Sequence, residues 1–145
     1  MFFGCFEAAQ ASQMRAVVDS GINYSYRTSQ HPAVTGVIKK AQKLIGTPYR
    51  WGGSDPIKGF DCSGLLVYLF KTEADINLPR TSAMMARSPS VTVDRKRLRP
   101  GDAVFFKLKG KRRINHVGLY IGNNRFIHAP RPGKAVKVAF LTDYY

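Results

Sequence analysis

Asp61-Cys62-Ser63-Gly64-Leu65-Leu66-Val67-Tyr68-Leu69-Phe70 decides how this chain is read. Asp61 is the small polar type that caps helices. Leu65, Leu66 and Leu69 then stack on one side of a helix that the spacing predicts from Cys62 to about Lys71. A thiol therefore falls on a first helical turn, where unpaired backbone N–H groups carry partial positive charge and favour the thiolate. Gly64 leaves room for another backbone or a substrate to approach. A cysteine on an apolar helix ordinarily packs in the core. This one is flanked by Asp61 and Ser63, and two histidines, His116 and His128, lie downstream in strand-like segments.

Upstream, Val34, Val37, Ile38, Ala41, Leu44 and Ile45 repeat at i, i+3, i+4, i+7, the mark of an amphipathic helix, which Gly46 ends. Thr47-Pro48-Tyr49-Arg50-Trp51-Gly52-Gly53 follows as a rigid aromatic loop. Downstream, a short helix is expected after Pro79, capped by Thr81 or Ser82. From residue 100 the period becomes two. Ala103 to Leu108, Asn115 to Ile121, Arg125 to Ala129 and Ala135 to Ala139 read as strands. Helices followed by an antiparallel sheet define an α+β domain with N-terminal helices packed on the sheet. Residues 1–32 read as a separate segment, with a short helix from Glu7 to Val18 and a polar linker from Ser20 to His31. Residues 33–145 form the domain that carries the chemistry.

In His116-Val117-Gly118-Leu119-Tyr120-Ile121, alternation puts His116, Gly118 and Tyr120 on one, polar face and Val117, Leu119 and Ile121 on the other, apolar one. A two-residue turn at Asn123-Asn124 would set His128 opposite Leu119, facing away from His116. A three-residue loop, Gly122 to Asn124, pairs Ile121 with Arg125 and sets His128 opposite Gly118, on the face of His116. The three-residue form is expected, since Asn124 tolerates the left-handed conformation it needs. Cysteine, histidine and a third polar group then make a nucleophile, base and orienter. Cys62 attacks an acyl carbon, His116 exchanges the proton, His128 orients His116, and the Cys62 backbone N–H is an oxyanion donor. Zinc is a poor match, because Cys62, His116 and His128 include no closely spaced ligand pair.

Lys and Arg number 23 against nine Asp and Glu, a net charge of +14, so the surface attracts polyanions. A hydrophobic fraction of 44% excludes a disordered chain. No run reaches the roughly 18 apolar residues of a membrane span. The two cysteines, Cys5 and Cys62, sit in contexts that argue against a disulfide. Gly4-Cys5 ends like a lipoprotein cleavage box, but the charged and apolar stretches that belong before it are missing; an arbitrary N-terminus fits better, with a trimmed signal left open.

The motifs Gly46-Thr47-Pro48-Tyr49-Arg50-Trp51-Gly52-Gly53, Phe60-Asp61-Cys62-Ser63-Gly64, Leu78-Pro79-Arg80-Thr81-Ser82, Arg99-Pro100-Gly101-Asp102, His116-Val117-Gly118-Leu119-Tyr120 and Phe126-Ile127-His128-Ala129 occur in that order. Over residues about 36 to 140 the chain resembles the NlpC/p60 cell-wall peptidases, papain-like cysteine hydrolases of bacteria. The resemblance implies a papain-like fold with the nucleophile at a helix N-terminus, and Cys62, His116 and His128 as a catalytic triad. It implies a substrate site lined by Tyr49, Asp61 and Ser63, which in several members holds the free amino group of an N-terminal L-alanine. It further implies cleavage between γ-D-glutamate and meso-diaminopimelate or lysine in peptidoglycan stem peptides, in the cell envelope, without a cofactor.

Asp61 also reads as a plain helix cap, Tyr49 as a packed aromatic, and Arg80 as a structural residue holding the loop after the Cys62 helix. Two departures stand out. Met85 occupies a place where the family usually has glutamine, and the chain stops at Tyr145 where relatives continue into a final strand, which would leave a sheet edge open. The basic runs around Lys107 to Arg113 and Arg95 to Arg99 read as solvated loops or as guides toward anionic wall polymers or lipid headgroups. Nucleic acid is disfavoured as a partner, since no helix-turn-helix, RNP-type aromatic pair or zinc finger occurs. Action of the same triad on a muramoyl amide or lipid ester, and a non-catalytic wall-binding module, stay open as alternatives. The sequence fixes no oligomeric state.

Overall fold

The computed structural model describes residues 14–19, 23–28, 33–88 and 93–144. Strands β1 (Met14–Asp19) and β2 (Asn23–Thr28) lead into helix α1 (Val34–Lys43). A short hairpin, β3 (Ser54–Asp55) and β4 (Gly59–Phe60), precedes helix α2 (Cys62–Ala74) and helix α3 (Ser82–Arg87). The chain then runs as an antiparallel meander of β5 (Ala103–Phe106), β6 (His116–Gly122), β7 (Arg125–His128) and β8 (Lys137–Phe140). The large sheet has the order β1-β2-β5-β6-β7-β8.

Alternation along the strands sorts side chains into two cores. Phe105, Val117, Leu119 and Ile127 face the helices and meet Val37, Ala41, Leu65, Leu66, Leu69 and Phe70, all essentially buried. Each such side chain contributes roughly 1.5–3 kcal/mol of hydrophobic stabilisation. Met85 packs into this same core. The opposite face carries a smaller cluster of Val104, Phe106, Phe126, Ala139 and Leu141. α3 starts where its capping signal lies: the Thr81 side chain accepts from the Met84 N–H at 3.2 Å.

Three expectations are corrected. Residues 14–19 and 23–28 are strands, not helix and polar linker, and β2 pairs with β5, so this segment extends the main sheet. The rest of that stretch, with Cys5 and Glu7, lies outside the described residues. The β6–β7 turn has two residues, not three. Asn123 and Asn124, with φ of 53° and 61°, close Gly122 onto Arg125. A bulge between Tyr120 and Gly122 then restores the register, pairing Tyr120 with Phe126 and Leu119 with Ile127. Continued one step, that register sets His128 opposite Gly118, the placement the longer loop was meant to give. Finally, the face shared by His116 and Gly118 is not solvated: the second core covers it.

Candidate active site

α2 begins at Cys62 because Asp61 caps it. The Asp61 Oδ1 accepts from the Gly64 N–H at 2.7 Å, and the Asp61 backbone is extended. Arg80 closes on the same carboxylate, donating through Nη1 and Nη2 to Oδ1 and Oδ2 at 3.0 and 2.9 Å. Its fork also reaches the Ser63 Oγ at 3.0 Å and the Gly53 carbonyl at 3.3 Å. The Asp61 N–H donates to that carbonyl too, at 2.9 Å. Gly64 is needed here because a Cβ on it would run into the Gly53 carbonyl oxygen. The close backbone approach expected at Gly64 is thus made by the aromatic loop before the helix.

Cys62 is a free thiol that keeps partial access to solvent. Burial pushes its pKa up to about 11, and the Asp61 charge acts the same way. Backbone N–H groups of Val117, Ser63 and Cys62 itself hydrogen-bond the sulfur and pull in the other direction. Burial outweighs these donors, so the helix end needs the imidazole base expected beside it to favour the thiolate.

His116 is 3% exposed and His128 fully buried, and His116 Nε2 lies 2.7 Å from His128 Nδ1. The rings meet edge-on at 75°, with Phe106 beside His116 and Phe126 beside His128. Burial lowers the His116 pKa to about 4; burial, then His116 and Lys137, lower that of His128 to about 3. Both rings are therefore neutral at pH 7, and one proton is shared across the contact. If His116 Nε2 holds it, His116 Nδ1 is left as a base. A lone charge on the cysteine or on either ring is disfavoured, so a thiolate forms here only together with an imidazolium, by moving one proton.

The remaining expected residues fall around the same point. Ser63 is buried, with its Oγ 3.3 Å from Asp61 Oδ1. The Tyr49 hydroxyl is raised above its ordinary pKa by burial, then by the charges of Cys62 and Asp61. Sequence reasoning missed the reach of Arg80 to the cap of α2, 19 residues earlier. Among the described residues no group of three His, Cys, Asp or Glu side chains could hold a metal ion, and no helix is long and apolar enough to cross a membrane.

A cysteine opening a helix that packs on an antiparallel sheet bearing two coupled histidines fits the papain-like arrangement expected from the sequence. Comparison narrows the class. The NlpC/P60 family pattern matches residues 46–145. Murein DD-endopeptidase MepH of Escherichia coli is 38% identical over 122 residues, covering 83% of this chain and 45% of that protein. A gamma-D-glutamyl-L-lysine dipeptidyl-peptidase of Bacillus cereus is 37% identical over 108 residues, 74% of this chain and 32% of that one. The chain thus spans less than half the length of these curated relatives. The crystal structure of the NlpC/p60 domain of peptidoglycan hydrolase SagA superposes with a TM-score of 0.68 at 32% identity, covering 77% of this chain and 92% of that one. This chain belongs to the NlpC/P60 family.

Proposed function

We propose that the protein is a peptidoglycan-hydrolysing cysteine endopeptidase of the bacterial cell envelope, cutting stem peptides at the γ-D-glutamyl–diamino acid bond. The observation that carries this reading is the 2.7 Å His116–His128 contact, with Cys62 opening the Asp61-capped helix that packs on the strand bearing His116. The Cys62 proton passes to His116 Nδ1 as the sulfur bonds to the γ-carbonyl carbon. His116 Nε2–H donates to His128 throughout, so His128 stays neutral and stabilises the imidazolium. Backbone N–H groups at the start of α2 receive the negative oxygen. His116 then protonates the leaving amine, the C–N bond breaks, and a thioester remains. Water, deprotonated by His116, cleaves the thioester and returns the thiol.

Asp61 and Tyr49 form the pocket for the free ammonium of an N-terminal L-alanine. Three donors share Asp61 Oδ1, while among the described residues Arg80 alone meets Oδ2, which keeps acceptor capacity for a substrate. The relatives act, by their names, on a D,D bond and on a γ-D-glutamyl-L-lysine bond. Mass analysis of muropeptides digested by the pure protein separates these. Release of L-alanyl-γ-D-glutamate supports the proposal, cleavage only between two D-residues moves the activity to the other bond, and an unchanged digest refutes the enzyme.

A further inference from the structure

A cleft of about 600 Å³ opens between α3 and the connection from β5 to β6, and none of the active-site residues lines it. α3 contributes Arg87, and the connection contributes Lys107, Arg112 and Arg113, so cations from two elements border one space. Ala83, Ala86 and Ile114 complete a lining that, among the described residues, includes no carboxylate and no aromatic ring. Among the described residues no ion pair joins Arg87, Arg112 or Arg113 to an acidic side chain. The connection is held in shape by Asn115. Its Oδ1 accepts from the Leu108 N–H at 2.7 Å, its Nδ2 donates to the Leu108 carbonyl at 3.3 Å, and the Lys111 N–H donates to that carbonyl at 3.2 Å. The backbone carrying the arginines is thus ordered before a ligand arrives, which lowers the cost of binding.

We propose that this cleft binds a phosphodiester polymer with a polyol backbone and so holds the protein on an anionic cell wall. Four like charges bordering one cavity repel one another, and an anion of several charges relieves them together. Each phosphodiester presents two oxygens that match an arginine fork. A volume of about 600 Å³ suits several linked units rather than one small ion. The lining decides between polymers. Single-stranded nucleic acid stacks its bases on aromatic side chains, and this cleft offers none. A lipid surface is met by an apolar face that enters it, whereas here the cations surround a concavity whose apolar members are two alanines and the buried Ile114. The proposal does not depend on the peptidase reading, because binding requires no turnover.

The test is fluorescence anisotropy of a labelled glycerol phosphate oligomer titrated with the full chain, with melting scans to confirm that each variant folds. Arg112→Ala/Arg113→Ala changes two exposed loop residues. Lys39→Ala/Lys43→Ala removes the same charge from exposed positions of α1 and serves as the control. The arginine variant should bind about tenfold more weakly, and the control should stay within about twofold of wild type. Should the arginine variant fail to melt cooperatively, Arg87→Ala, on a separate element, carries the same decision with a loss of about threefold or more. Equal losses in variant and control would reduce the effect to bulk charge and overturn the site, as would absence of binding. A thymidine oligonucleotide with the same number of phosphates that binds as tightly overturns the choice of polymer. Binding confined to phosphatidylglycerol vesicles moves the site to a lipid surface and overturns it as well.

Discussion

Replacing His128 probes the geometry of the site more sharply than removing the nucleophile. In a His128→Leu variant the volume is nearly kept, but the acceptor 2.7 Å from His116 Nε2 disappears. His116 is 3% exposed, so no solvent replaces it. A buried donor left unpaired costs about 1–3 kcal/mol, at the upper end when the ring becomes imidazolium. Because the charge appears only in the transition state, the cost falls on the barrier, and kcat should drop roughly 10- to 100-fold while KM stays nearly constant. His128→Gln offers a carbonyl oxygen to the same N–H and should recover most of the loss. Steady-state kinetics on a synthetic stem peptide, with circular dichroism to confirm folding, reads both. Equal failure of Leu and Gln variants would refute His116 Nε2 as the donor, and full activity of the Leu variant would remove His128 from the mechanism.

Three further outcomes follow from named contacts. Arg80→Ala removes the fork on Asp61, Ser63 and Gly53; since Arg80 is 39% exposed, about 1–2 kcal/mol is expected, a Tm loss of roughly 3–6 °C by calorimetry, and no shift would show the clamp to be idle. Gly64→Ala drives a methyl into the Gly53 carbonyl, and should destabilise by about 3 kcal/mol and slow Cys62 chemistry, as read by urea unfolding and activity; wild-type values for both would contradict the packing. The buried histidines have folded pKa values below the unfolded value of 6.5. The stability they contribute is therefore present above 6.5 and lost as pH falls toward about 4 for His116 and about 3 for His128. Melting scans across that window should show falling Tm, less steeply in His128→Leu; parallel curves would contradict it.

Where local chemistry decides structure, the sequence was legible. Asp61 capped α2, Thr81 capped α3, and period-two alternation located β5 to β8 within two residues. β1 and β2 were missed because polar residues dilute them, although Tyr24 and Tyr26 at period two were a usable signal. The β6–β7 turn shows a different limit. His128 was placed opposite Gly118 for the wrong reason, since Asn123-Asn124 is the stronger two-residue turn and a bulge supplies the extra residue. Arg80 acts across 19 residues, and no local pattern encodes that reach. Helix-end donors around Cys62 are visible in sequence, while the desolvation that raises its pKa appears only on folding.

Acyl transfer to the sulfur at the head of α2 is the step on which the proposed activity depends. Acid quenching during turnover of a stem peptide, followed by intact-mass and fragment analysis, tests this directly. The expected result is a thioester adduct carrying the L-alanyl-γ-D-glutamyl group on Cys62, with neither adduct nor product from a folded Cys62→Ala variant. Product formation by that variant, or an acyl group found on another residue, would contradict it.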